Sequence, residues 1–111
     1  MQRIASFPKI TVTADGRGVC THVGSRLLAD VAAAAGVAEA LDGAVGGGRK
    51  RRSPHAPGRV LADLAVMLAD GGVAIGDLAV LRDQANLFGP VASSATAWRV
   101  LASARSRCWR R

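Results

Sequence analysis

The chain has 111 residues, enough for one modest domain that buries about two-thirds of its unfolded surface. Hydrophobic residues make up 50% and charged residues 21%, a balance that excludes an intrinsically disordered chain. With 4% aromatics, no tyrosine and 22 alanines, a core of thin side chains favours helices over an aromatic-rich β-sandwich.

The net charge of +7 is concentrated in two places. Arg49, Lys50, Arg51 and Arg52 form one run, and Arg99, Arg105, Arg107, Arg110 and Arg111 fill the last turns. Without those nine, six basic groups face eight acidic ones, so the rest of the chain carries −2. Cationic patches of this kind favour an anionic polymer or surface as partner, because each Lys or Arg that neutralises a phosphate releases a condensed counterion. The alternative is plain solubilising charge.

In chain order, Ile10 and Val12 alternate with polar residues, Asp15-Gly16-Arg17-Gly18 supplies turn chemistry, and a short run over 19–23 follows. This predicts a small N-terminal β-hairpin. Ser25 is placed to cap a helix whose apolar stripe is Leu27, Leu28, Val31 and Ala35, with Gly36 at the left-handed position that ends helices. A second short helix over 38–45 completes a helical pair. Ala32, Gly36 and Val37 imitate the first half of a helix-turn-helix, but Asp42 stands where that motif wants an apolar residue, which favours a plain helical hairpin.

Gly46-Gly47-Gly48, the basic run and Ser53-Pro54-His55-Ala56-Pro57-Gly58 read as a cationic linker over 47–58, since neither helix nor ladder tolerates that composition. His55 has no partner at ligand spacing and reads as a loop histidine. A three-helix unit is predicted over 59–104. Its first helix shows Val60, Leu61, Leu64, Met67 and Leu68 as apolar, with Arg59, Asp63 and Asp70 on the other side, and is nearly apolar all round, hence central. Gly71-Gly72 ends it. A second helix of about ten residues carries Ile75, Leu78, Val80 and Leu81, and repeats the Asp-Leu-Ala-Val of 63–66 at 77–80. Asn86-Leu87-Phe88-Gly89-Pro90 reads as a turn.

Ser93, Ser94 and Thr96 are capping candidates for a last helix. Its core stripe is Ala97, Val100, Leu101, Ala104 and, if the helix runs that far, Cys108, and its opposite line is Thr96, Arg99, Ser103, Ser106, Arg107 and Arg110. A cationic helix with small polar residues at its start suits a major-groove reader, against the plainer reading of a solvated face. Residues 105–111 form an Arg-rich tail. The fold class expected is thus mainly α: a β-hairpin and helical pair over 1–46, the linker, and a helix-turn-helix-like three-helix unit.

Catalytic and metal chemistry find no complete constellation. Asp63, Asp70 and Asp77 recur every seven residues, but Asp63 and Asp70 on one helix stand about 10 Å apart, too far to share a pair of ions. They are expected to pair with Arg59 or Arg82, or to face water. No phosphate loop, Ser-His-Asp set or Cys-His nucleophile is present, so neither a small-molecule substrate nor a resident cofactor is expected. Cys20 and Cys108, 88 positions apart, suit reduced thiols and a cytoplasmic setting. The start lacks the apolar core of a secretory signal. The apolar stretch over 60–81 carries three aspartates that each cost about 2.5–3.5 kcal/mol in a bilayer, which speaks against a membrane span.

The second half carries a resemblance. Leu61-Ala62-Asp63-Leu64-Ala65-Val66-Met67-Leu68-Ala69-Asp70-Gly71-Gly72, Asp77-Leu78-Ala79-Val80-Leu81-Arg82-Asp83-Gln84, Leu87-Phe88-Gly89-Pro90-Val91-Ala92-Ser93 and Thr96-Ala97-Trp98-Arg99-Val100-Leu101 closely resemble the N-terminal region of bacterial insertion-sequence transposases with a group 1 DDE domain. Arg3, Pro8, Asp15-Gly16-Arg17-Gly18 and Pro57-Gly58-Arg59-Val60-Leu61 also look like that family, and the similarity spans roughly 1–102. The ending, 102–111, departs from it by becoming rich in Arg, Ser, Cys and Trp, as in a truncated copy. The resemblance implies a part in DNA transposition in which the N-terminal helices help hold the element's terminal repeats. The family's Asp-Asp-Glu residues and two Mg²⁺ ions belong to a downstream RNase H-like core, so no catalytic residue is carried onto this chain. The residues expected to touch DNA are Arg49, Lys50, Arg51 and Arg52 at phosphates and Ser94, Thr96 and Arg99 as base or backbone readers. Competing expectations are an inhibitory fragment that pairs with full-length transposase or with its own copy, and an inert remnant.

Overall fold

A computed structural model describes residues 22–45 and 55–109. Six helices and one 3-10 turn make up the regular structure of these residues: α1 (Val23–Ala34), α2 (Val37–Val45), α3 (Pro57–Ala69), the 3-10 turn Ile75–Leu78, α4 (Ala79–Asp83), α5 (Ala85–Phe88) and α6 (Ser94–Trp109). The chain is thus mainly α, as expected. The N-terminal β-hairpin lies outside the described residues.

Local chemistry explains most helix ends. Gly36, with φ of 73°, closes α1, and its N–H donates to the Ala33 carbonyl at 3.2 Å, a left-handed stop that glycine adopts at no steric cost. Pro57 occupies the first turn of α3, where its missing N–H costs no hydrogen bond. The other end of α3 is a Schellman motif: Gly71 has φ of 101°, the Gly71 N–H reaches the Leu68 carbonyl at 3.1 Å, and the Gly72 N–H reaches the Met67 carbonyl at 2.9 Å.

Helix α3 is the central element, packed against α1, α2, α6, α4 and the 3-10 turn. Val60, Leu64, Val66 and Met67 of α3 meet Leu78, Leu81, Leu87, Phe88, Val91, Ala92 and Ala97 in one buried cluster. Leu78, Leu81 and Phe88 are fully buried, and each contributes about 1.5–3 kcal/mol as a large apolar side chain taken from water. The closest helix contact is between α2 and α3. A Cβ on Gly58 would stand 2.0 Å from the Ala38 carbonyl oxygen and 2.5 Å from the Asp42 nitrogen, so only glycine allows this approach. Asp42 is explained by the same junction, because its Oδ1 accepts the Gly58 N–H at 3.3 Å and so satisfies one of the orphan donors that open α3.

Four expectations need correction. In α1 the buried face is Ser25, Arg26 and Ala29, whereas Leu27, Leu28 and Val31 are exposed. The inward positions are those where small side chains let α1 lie close to α3 and where Arg26 reaches a buried carbonyl, and both outweigh the transfer energy of the leucines. Ser25 does not cap α1; His22, in a left-handed conformation, precedes the helix and accepts the Ser25 N–H at 3.1 Å. Asp63 sits inside rather than on a polar outer side. Leu87 and Phe88, read as part of a turn, lie in the short helix α5, which Gly89 stops at φ 68° and ψ −157°, a region open almost only to glycine.

Candidate nucleic-acid interface

Charged residues divide into those the fold consumes and those it presents. Arg26 is 5% exposed. Its Nη1 donates to the Leu87 carbonyl at 2.7 Å and its Nε to Asp30 Oδ1 at 2.8 Å. Arg59 mirrors it from α3, with Nη2 donating to the Phe88 carbonyl at 2.6 Å and Nε to Asp63 Oδ1 at 3.0 Å. Two guanidinium groups thus cover the last two carbonyls of α5, where the helix dipole favours positive charge. These arginines are structural.

The three spaced aspartates are also accounted for. Asp63 is buried beside Arg59; burial pushes its carboxyl up to about 6, partly offset by the charge and hydrogen bond of Arg59. Asp70 holds the start of α1, with Oδ2 at 2.6 Å from His22 Nδ1 and Oδ1 accepting the Ser25 hydroxyl. Asp77 accepts the N–H groups of Val73 at 2.8 Å and Ala74 at 3.0 Å, and those two bonds hold its carboxyl below the ordinary value. Each carboxylate serves a local join. Among the described residues, no group of three His, Cys, Asp or Glu stands close enough to share a metal ion. A cavity of about 40 Å³ between α1, α2 and α3, walled by Ala29, Ala32, Ala33, Ala38 and Ala62 beside Arg59 and Asp63, has room for little more than a water molecule.

Among the described residues, Arg82 is exposed on α4 next to exposed Asp83, whereas Arg99 and Arg105 are exposed on α6. Neither this helix nor the segment from Gln84 to its start contains a carboxylate. Ser93 forms its N-terminal cap: Oγ accepts the Thr96 N–H at 3.3 Å and donates to Thr96 Oγ1 at 3.2 Å, and its carbonyl accepts the Ala97 N–H at 3.0 Å. Ser94 and Thr96 are half-buried in the first turn, and Arg99 is exposed one turn on, its Nε 3.3 Å from the Ala95 carbonyl oxygen. Thr96 and Arg99, three residues apart, thus stand on neighbouring lines in the first two turns of α6, and Ser94 stands well round the helix from both. Arg49, Lys50, Arg51 and Arg52 lie outside the described residues, as do Arg110 and Arg111.

Inward, α6 is anchored by fully buried Ala97 and by half-buried Val100, Leu101 and Ala104, the stripe its sequence predicts. Beside the expected outer line runs a second one that sequence reasoning passed over: Trp98, Ala102, Arg105 and Trp109, all exposed. Spacings of four, three and four residues carry its signal. Among the described residues, no helix is long and apolar enough to cross a membrane. Comparison with protein-family models, curated proteins and solved structures yields no match to this chain.

Proposed function

We propose that the chain is a DNA-engaging portion of a DDE-type transposase, with the Asp-Asp-Glu chemistry assigned to the RNase H-like core that lies downstream in members of that family. One observation supports the binding role: Arg26 and Arg59 are consumed inside the fold, whereas α6 presents Arg99 and Arg105 outward on a helix free of acidic residues. Such a face attracts phosphate, and Ser94, Thr96 and Arg99 at its start supply small polar and cationic groups for backbone or base contact. The run Arg49, Lys50, Arg51 and Arg52 adds phosphate anchors in this reading.

The test is a gel-shift series on duplexes carrying the terminal repeat and on random duplexes of equal length, at several salt concentrations. Repeat-specific binding that survives physiological salt is expected; equal, wholly salt-sensitive binding to both would reduce the interface to charge alone. A second reading, pairing with another copy of the chain or with a longer transposase, is favoured by the exposed Leu27, Leu28 and Val31 on α1. Size-exclusion chromatography separates the two, since a stable dimer without DNA affinity supports only the second.

A further inference from the structure

The only two tryptophans of the chain are both exposed, Trp98 at 65% and Trp109 at 90%. Tryptophan is highly buried on average, so two bare indoles on one helix call for a partner. Eleven residues separate them, which at about 100° per residue closes three turns to within about 20°. They therefore stand on one line of α6, about 16 Å apart at 1.5 Å per residue. Arg105 is exposed on the same line, seven residues after Trp98 and four before Trp109. Ala102, Arg105, Ser106 and Trp109 border an open groove there.

We propose that Trp98, Arg105 and Trp109 form a platform for unpaired nucleic-acid bases, that is, for single-stranded DNA. Indole faces stack on any base, and a guanidinium between them meets the intervening phosphates or itself stacks on a base. At about 16 Å, the line is long enough to engage several nucleotides of an unpaired strand. In an intact duplex the bases are stacked on one another and offer no face to the indoles, so the platform selects unpaired strand. Charge complementarity supports this occupant: α6 carries arginines and no carboxylate. A helix lying in a lipid surface would place large apolar residues beside the tryptophans, and Ala102 and Ser106 occupy those positions. The inference rests on the nucleic-acid reading above and adds the form of strand that α6 takes.

Because the chain has no tyrosine, its intrinsic fluorescence reports these two indoles directly. The full chain is titrated with a thymidine 12-mer, with a blunt 12-base-pair duplex, and with vesicles of anionic phospholipid. The 12-mer is expected to quench the emission. Trp98→Ala and Trp109→Ala are each expected to weaken 12-mer affinity by about tenfold, with Trp98→Phe and Trp109→Phe restoring most of it. Duplex affinity is expected to change less than about twofold, and circular dichroism melts establish that each variant folds. Binding of the 12-mer without quenching, or an equal loss for duplex, overturns the platform while leaving the DNA reading intact. Binding of neither DNA overturns both, and quenching by vesicles but not by the 12-mer assigns the line to a lipid surface instead.

Discussion

Arg26 in the first turns of α1 donates to the carbonyl of Leu87, a residue 61 positions further along, at 2.7 Å. With Arg59 on the neighbouring Phe88 carbonyl, it ties both α1 and the central helix α3 to the end of the short helix α5. Removing either guanidinium leaves a carbonyl without its donor. Arg26→Ala is expected to lower stability by about 2–4 kcal/mol. Arg59→Ala, which also strips the counter-charge from Asp63, is expected to cost about 3–5 kcal/mol. Urea denaturation checks both, and a loss below about 0.5 kcal/mol in either would show that the clamp contributes nothing.

Gly58 tests the closest helix contact. The obstacles to a Cβ there are the Ala38 carbonyl oxygen at 2.0 Å and the Asp42 nitrogen at 2.5 Å, backbone atoms that move only if α2 and α3 separate. Gly58→Ala is expected to cost about 3 kcal/mol or more, although alanine is the better helix former. A thermal midpoint equal to or above that of the parent would contradict the packing.

Asp63 gives the fold a pH signature. Its carboxyl is raised from 3.8 to about 6, so the folded state holds a proton that the unfolded state has already released between those values. The stability contributed by this group is therefore fully present below about pH 4, is lost as pH rises through about 6, and stays lost above it. The interval corresponds to on the order of 3 kcal/mol from this one group. Denaturant midpoints from pH 4 to 7 check the slope, and Asp63→Asn is expected to flatten it. A slope of opposite sign that Asp63→Asn abolishes would show the carboxylate to be net stabilised by Arg59.

The two faces of α1 give opposite expectations. Val31 is 66% exposed and Ala29 is 2% exposed. Val31→Lys is expected to change stability by less than about 0.5 kcal/mol, whereas Ala29→Leu, forced between α1 and α3, is expected to cost about 1–3 kcal/mol. Reversal of that order in urea melts would restore the leucine stripe as the buried side.

Features set by neighbouring residues were legible in the sequence. Gly36 and Gly71 end helices because they alone take a positive φ cheaply, and Arg59 pairs with Asp63 because four residues make one helical turn. Features set by distant partners were not. The inward turn of α1 depends on the Leu87 carbonyl, the role of Asp42 on the Gly58 N–H, and that of Asp70 on His22 and Ser25. On α6 the core stripe was readable and the spacing of Trp98, Arg105 and Trp109 was there to be read, but their exposure was not, because it is set by where the other elements pack.

The most direct measurement of DNA engagement is the affinity of the full chain for duplex DNA as salt is raised. If Arg49, Lys50, Arg51 and Arg52 each neutralise one phosphate, they contribute about −3.6 to the slope of log affinity against log salt, and replacing all four by alanine removes that contribution. Absence of binding even at low salt, or a slope untouched by the fourfold replacement, would contradict DNA engagement or remove the run from it, respectively.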